Sequence, residues 1–178
     1  LDDRPILAIL PGSRNQEINV KLPIMVEAAK SFPNYQLIIA GAPNKSIAFY
    51  LDVSKGTEVR ILENQTYDLL NNSDLAIVTS GTATLETALF HVPQVVCYKA
   101  SPISYAIAKR VIKIKYISLV NLILDRLVVT ELIQHDLTPI NIVKELKGIA
   151  EHDSEGRLKM KKSYKEPVSY THLTLPTT

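Results

Sequence analysis

Apolar positions in this chain follow two rhythms. Compact runs at residues 6–10, 36–40, 59–62, 74–79 and 94–98 are mostly apolar, as expected of strands buried on both faces. Between them the apolar residues recur every three or four positions. Ile18, Leu22, Met25, Val26 and Ala29 share one helical face. Pro23 lies inside that pattern and either kinks the helix or marks where its regular part begins. Shorter helices are predicted over 45–51 and 66–71, the second stopped by Asn71-Asn72-Ser73. Further helices are predicted over 83–90, 102–111 and 139–150, the last with Thr138 as cap and Pro139 in its first turn. The pattern weakens between 111 and 138. There 116–119 reads as a sixth strand leading to Val120-Asn121, and Val129-Thr130-Glu131-Leu132 as a short helix. Strands alternating with helices at this spacing predict an α/β fold, a mostly parallel sheet with helices on both faces.

The last segments break the pattern. Residues 151–165 are mostly charged and read as a solvated helix or tail, with Lys159, Lys161 and Lys162 close together; a basic contact to an acidic membrane surface is the other reading. Residues 167–178 keep neither period and read as an extension foreign to the fold, with no role. The folded unit is therefore expected over 1–166. The chain opens on Leu1 without a Met and reads as a piece of a longer protein.

Composition narrows the chemistry mostly by exclusion. The 178 residues are 46% hydrophobic and 21% charged, which is globular composition. A net charge of +2 gives no field favouring nucleic acid. The single cysteine, Cys97, rules out an internal disulfide and a cysteine metal cluster. His91, His135, His152 and His172 show no ligand spacing. No apolar stretch is long enough to span a bilayer. A Walker loop is absent because Gly12-Ser13-Arg14 lacks the Gly-Lys-Ser/Thr ending, and no Gly-x-Gly-x-x-Gly fingerprint occurs. Both absences count against an ATPase and a dinucleotide oxidoreductase.

The stretch with most chemical content is Asp74 to Glu86. A buried strand ends in Ser80-Gly81-Thr82, and a helix follows. Ser80 or Thr82 can cap that helix, and Gly81 lets a ligand approach the backbone. Free N–H groups and the positive end of the helix dipole then converge on one spot, suited to a phosphate. Glu86, about a turn in, can accept from sugar hydroxyls. The plainer reading is a capped junction with one solvated Glu. Ligands of such sheets bind at the carboxyl ends of the strands, where Gly12, Gly41, Ser80-Gly81 and Asn121 are all expected. Arg14 can fork onto a diphosphate, with Glu17 orienting it, or it is a surface Arg paired to Glu17. Asn121 can bond a base or phosphate, or it is a turn residue. Tyr98 and Lys99 can flank a nucleotide. No catalytic triad or carboxylate pair stands out.

In order along the chain, Leu10-Pro11-Gly12-Ser13-Arg14 with Glu17-Ile18, then Ser80 through Glu86, then Pro93 with Val95-Val96 and Tyr98-Lys99, then Ser118-Leu119-Val120-Asn121-Leu122 resemble the lipid-A-disaccharide synthases. The resemblance covers roughly residues 6–165 and that family's C-terminal half. It implies a two-lobed GT-B glycosyltransferase whose Rossmann-like UDP-binding lobe is this chain. Such an enzyme inverts configuration as it transfers 2,3-diacylglucosamine from UDP-2,3-diacylglucosamine to 2,3-diacylglucosamine 1-phosphate (lipid X), yielding lipid A disaccharide 1-phosphate and UDP. It implies no cofactor and no bound metal, and a cytoplasmic enzyme peripheral to the inner face of the bacterial inner membrane. Gly12, Ser13 and Arg14 would lie by the diphosphate, Ser80, Gly81 and Thr82 at the phosphate-binding helix start, Glu86 on the ribose, and Asn121 near the donor at the interlobe cleft. The acceptor site and general base are expected on an N-terminal lobe outside this chain, so the chain alone is expected to bind UDP weakly without transferase activity. Competing readings are a UDP-sugar epimerase, a peptidoglycan-precursor transferase, or a non-catalytic nucleotide-binding module.

Overall fold

A computed structural model describes residues 3–54, 56–100 and 115–166. Six strands form one sheet: β1 (Ile6–Leu10), β2 (Gln36–Gly41), β3 (Arg60–Glu63), β4 (Leu75–Thr79), β5 (Gln94–Tyr98) and β6 (Thr130–Ile133). All pair in parallel, in the order β3-β2-β1-β4-β5-β6. The helices are α1 (Asn15–Ala29), α2 (Ile47–Val53), α3 (Thr66–Asn71), α4 (Thr82–Leu89), α5 (Leu119–Leu124), α6 (Pro139–Ala150) and α7 (Glu155–Tyr164).

The apolar runs explain why both faces are covered. In β1, Leu7 and Ile9 belong to a core with Leu22, Met25, Leu75, Ile77 and Ile142. Ile6, Ala8 and Leu10 point the other way, into a second core with Ile38, Leu69, Leu70, Ala76 and Val78. Successive residues of a strand face opposite sides, so a strand with no polar alternation needs partners on both. Chain order reverses between β1 and β4: from β1 the chain moves outward to β2 and β3, then returns to lay β4 on β1's other side. Leu10 pairs with Val78 there, which brings the loops after both strands together at a switch point, where sheets of this kind bind ligands.

The helix predicted from Ile18 to Ala29 is continuous through Pro23. Pro23 is exposed, so water can reach the carbonyl that the ring leaves without a donor.

Two predicted elements exchange places. The expected strand at 116–119 is a loop and the start of α5, and the expected helix at 129–132 is β6. Ser118 turns the chain helical by accepting from the Asn121 N–H at 3.3 Å. The β-branched run Val128-Val129-Thr130 favours an extended backbone, and β6 gains pairing along β5 from Val95↔Thr130 to Tyr98↔Ile133. A short run read from local pattern alone does not reveal that an edge strand is still owed to the sheet.

The charged segment after Glu151 is also more than a solvated tail. Ser154 caps α7 by accepting from the Arg157 N–H. Arg157 is buried and donates to the carbonyls of Ile149 and Ala150 at the end of α6, where the helix dipole favours a cation. Met160 is buried as well, its sulfur accepting from the Gln94 N–H. The predicted helix over 102–111 and the segment 167–178 lie outside the described residues. Among the described residues no helix is long and apolar enough to cross a membrane.

Candidate functional site

A cleft of about 640 Å³ opens at the switch point, lined by Gly12 and Ser13 after β1, Gly41 at the end of β2 with Ala42 and Pro43, Asn64 to Asp68 after β3, and Thr82, Ala83 and Glu86 of α4. Each strand ends where its backbone has to turn into a loop. At Gly12 φ is +95°, and a Cβ would sit 3.3 Å from Glu17 Oε2 and 3.5 Å from the Thr79 methyl. Glycine therefore suits both the turn and the close approach. The β2 loop is held from below: the buried Tyr50 hydroxyl accepts from the Ala42 N–H at 2.8 Å.

Arg14 stands at the start of α1 with its side chain 82% exposed, and its Nη1 lies 3.3 Å from Glu17 Oε1. The other Glu17 oxygen lies 3.4 Å from the Nζ of Lys21, which is only 2% exposed. Burial holds the Lys21 ammonium below its ordinary range, and Glu17 partly offsets this. One carboxylate thus bridges a rim guanidinium and an interior ammonium. Glu17 does touch Arg14 as expected; Lys21 was not singled out from the sequence, where it reads as one more Lys on a helix.

The start of α4 differs from the expected capped turn. Gly81, at φ +150°, is the N-cap residue, and no side chain caps it. Thr82 lies inside the helix. The Ser80 hydroxyl instead donates to the Ile117 carbonyl at 3.0 Å, and the Thr84 hydroxyl turns back to the Gly81 carbonyl at 2.8 Å. The first-turn N–H groups of α4 are therefore left without a side-chain acceptor at the edge of the cleft. Such donors, with the helix dipole behind them, suit an anion.

Glu86 is half-buried on the cleft wall. The Tyr67 hydroxyl is 3.5 Å from its Oε1, a long contact that leaves the carboxylate able to accept from a ligand. Tyr67 leans on Phe90 with ring centroids 5.6 Å apart. From the sequence, Thr66 and Tyr67 read only as the start of a short helix and Asn64 and Gln65 carry no role; all four line the cleft. The signal there was a polar Asn-Gln-Thr run after a strand, with Asn64 at φ +56°, a conformation asparagine tolerates better than most residues.

Asn121 requires a correction. It is fully buried in α5. Its Oδ1 accepts from the N–H groups of Val128 and Val129, and its Nδ2 donates to the Val129 carbonyl and to Glu131 Oε1. An amide with both ends engaged inside the protein is not presented to a ligand. It follows a loop into a helix rather than a strand end. Tyr98 is half-exposed and Lys99 exposed at the end of β5, and neither lines the cleft. Gly12, Ser13, Thr82 and Glu86 do line it; Ser80 and Gly81 adjoin it at the helix start, and Arg14 and Glu17 flank its β1 side.

Among the described residues no group of three His, Cys, Asp or Glu is placed to hold a metal ion.

The fold is shared with solved glycosyltransferases. The calicheamicin glycosyltransferase CalG4 superposes with a TM-score of 0.57 at 18% identity, covering 94% of this chain and 40% of that one. The glycosyltransferase VinC in complex with dTDP gives 0.55 at 17% identity, covering 92% and 38%. These identities carry the fold alone: one lobe of the GT-B architecture. Sequence relatives are nearer. Lipid-A-disaccharide synthase of Aeromonas hydrophila is 36% identical over 160 residues, 85% of this chain and 42% of the relative. That of Myxococcus xanthus is 39% identical over 154 residues, 83% and 40%. The chain thus spans about two fifths of the length of these relatives. The model of the lipid-A-disaccharide synthetase family matches residues 1–172, and on that match and these identities the chain belongs to the lipid-A-disaccharide synthase family.

Proposed function

We propose that this chain is the donor-binding lobe of an inverting hexosyltransferase of lipid A biosynthesis. The enzyme transfers 2,3-diacylglucosamine from UDP-2,3-diacylglucosamine to 2,3-diacylglucosamine 1-phosphate and releases UDP. The observation that carries the reading is one switch-point cleft lined by the uncapped start of α4 and by Glu86, with Arg14 next in the chain to its lining residue Ser13.

The chemistry follows from where charge develops. As the anomeric carbon leaves the β-phosphate oxygen, negative charge grows on the diphosphate. The first-turn N–H groups of α4 and the Arg14 guanidinium are positioned to stabilise that charge more strongly in the transition state than in the ground state. Glu17 accepts from the Arg14 guanidinium at 3.3 Å and can orient it. Glu86 accepts from the ribose hydroxyls and fixes the nucleoside end. The acceptor hydroxyl attacks from the opposite face, which inverts the anomeric carbon, and its proton passes to a general base in the portion of the relatives that this chain does not span. Both substrates carry acyl chains, which supports work at a membrane surface as a peripheral protein, and the nucleotide-linked donor supports the cytoplasmic face.

Calorimetric titration with UDP, with ADP and NAD alongside, tests the reading. UDP is expected to bind selectively. Glu86→Ala is expected to weaken it by roughly tenfold, the loss of hydrogen bonds to a charged acceptor, and Arg14→Ala by a similar factor. Equal binding of UDP and ADP would reduce the site to a generic phosphate turn, and no binding by a folded chain would refute the assignment of the cleft.

A further inference from the structure

Glu131 lies on β6, outside the cleft, yet its carboxylate accepts four hydrogen bonds beside the phosphate turn. Its Oε2 accepts from the Ile117 N–H at 2.9 Å. Its Oε1 accepts from the Ser118 N–H, the Ser118 hydroxyl and Asn121 Nδ2, each at 2.8 Å. Four donors on one carboxylate fix the backbone of Ile117 and Ser118, since bonds to a charged acceptor are the short and strong ones. The carbonyl so fixed, that of Ile117, is the acceptor for the Ser80 hydroxyl.

Ser80 precedes Gly81 at the start of α4. A serine there has an alternative: its hydroxyl oxygen can turn to accept from the N–H two residues on, at Thr82, in a local side-chain turn. That N–H is one of the donors a bound diphosphate needs. We propose that Glu131 is a positioning residue for the donor site: by holding Ile117, it draws the Ser80 hydroxyl away and keeps the first turn of α4 uncapped for the anion. Asn121 serves the same end by bracing Glu131 from inside α5. The inference rests on the diphosphate reading of the cleft, but the hydrogen-bond switch itself concerns this chain's own residues.

The test uses Glu131→Gln, Ser80→Ala and the double variant. An amide cannot accept at both of its ends, so Glu131→Gln loses at least the bond to Ile117 or those to Ser118. UDP affinity is expected to fall roughly five- to tenfold, the size of one competing hydrogen bond. Adding Ser80→Ala is expected to restore most of it, because the competing hydroxyl is gone. A merely structural role for Glu131 gives no such rescue. Thr130→Val is the control: it removes a β6 bond to Glu145, at 3.0 Å, without touching Glu131, and is expected to leave UDP affinity unchanged. In the ligand-free chain, the Thr82 amide resonance should move in Glu131→Gln and return in the double variant. That readout survives even if the wild type does not bind UDP, so the two readings fail separately. If Glu131→Gln does not fold, Glu131→Asp keeps the charge but draws the carboxylate back from Ile117 and Ser118, and should move the Thr82 amide in the same direction. An unmoved Thr82 amide, or an affinity loss that Ser80→Ala does not reverse, overturns the proposal.

Discussion

At the scale of single residues, the site is built by side chains that spend their polarity inward. Glu17 is the clearest case, with Arg14 on one oxygen and Lys21 on the other. Lys21 is the costly partner. A buried ammonium with one counter-ion recovers only part of its desolvation, and its pKa is lowered for that reason. Replacing it with methionine leaves Glu17, which is 33% exposed, paired to Arg14. Lys21→Met is therefore expected to be neutral or stabilising by up to about 2 kcal/mol. The pH dependence has a definite sign. Because the folded pKa lies below the unfolded value of 10.5, the unfolded chain holds more protons between the two, and wild-type stability rises with pH across that window. The advantage of Lys21→Met should thus be widest near neutral pH and shrink toward 10.5. Urea denaturation at a series of pH values checks this; a gap that grows with pH would contradict it.

Among the elements, the pairing of α6 with α7 shows how two glycines of the same composition play opposite parts. A Cβ at Gly156 would meet the Gly148 carbonyl at 2.7 Å, whereas one at Gly148 meets nothing within 4 Å. Gly156 is therefore needed for close packing, whereas Gly148 is a helix-interior glycine whose own Cβ position is open. Gly148→Ala is expected to stabilise by about 0.5–1 kcal/mol. Gly156→Ala is expected to destabilise by about 1–3 kcal/mol, because backbone rather than a flexible side chain stands in the way. Paired melting curves decide it, and equal effects of the two variants would mean α7 does not seat on α6 as described. The seating bears on the sheet: Gln94 at the start of β5 donates from Nε2 to the Thr84 carbonyl of α4 and to the Tyr164 hydroxyl of α7. Burial raises the Tyr164 phenol well above its ordinary range.

For the molecule as a whole, Cys97 reports on cooperativity. It sits on β5 between two paired strands, fully buried, and burial pushes its thiol up to about 12 from an ordinary 9.0. The native protein should resist iodoacetamide at pH values where a free thiol reacts, and modification should follow global unfolding in urea. Modification insensitive to urea would reveal local opening of the sheet. The same group sets an alkaline limit. The folded thiol keeps its proton when the unfolded one has lost it, so this contribution is intact below 9.0 and is lost as pH rises toward 12. Cys97→Ala should remove that part of the slope.

How much was legible beforehand divides along physical lines. Continuous apolar runs and three-to-four spacing stated the first five strands, the α/β class and the helices α1 and α6, because burial on two faces and on one stripe write different periods into a sequence. Pro-Gly-Ser-Arg and Ser-Gly-Thr after strands marked the rim, since glycine at a strand end answers a backbone need that does not depend on distant residues. The order of strands, and so the close approach of Gly12 to Thr79 at the end of β4, came from tertiary pairing alone. So did β6: an edge strand of four residues is chosen by the partner it completes, not by its own period. The capping of α4 was misjudged because Ser80 had a better acceptor in Ile117, far along the chain, and Asn121 was misplaced because its partners on Val128, Val129 and Glu131 exist only once α5 and β6 are side by side. Local pattern determined which segments are buried and where the backbone must bend; only the assembled fold decided which polar groups are spent on the protein and which are left for a ligand, because a hydrogen bond is settled by proximity in space.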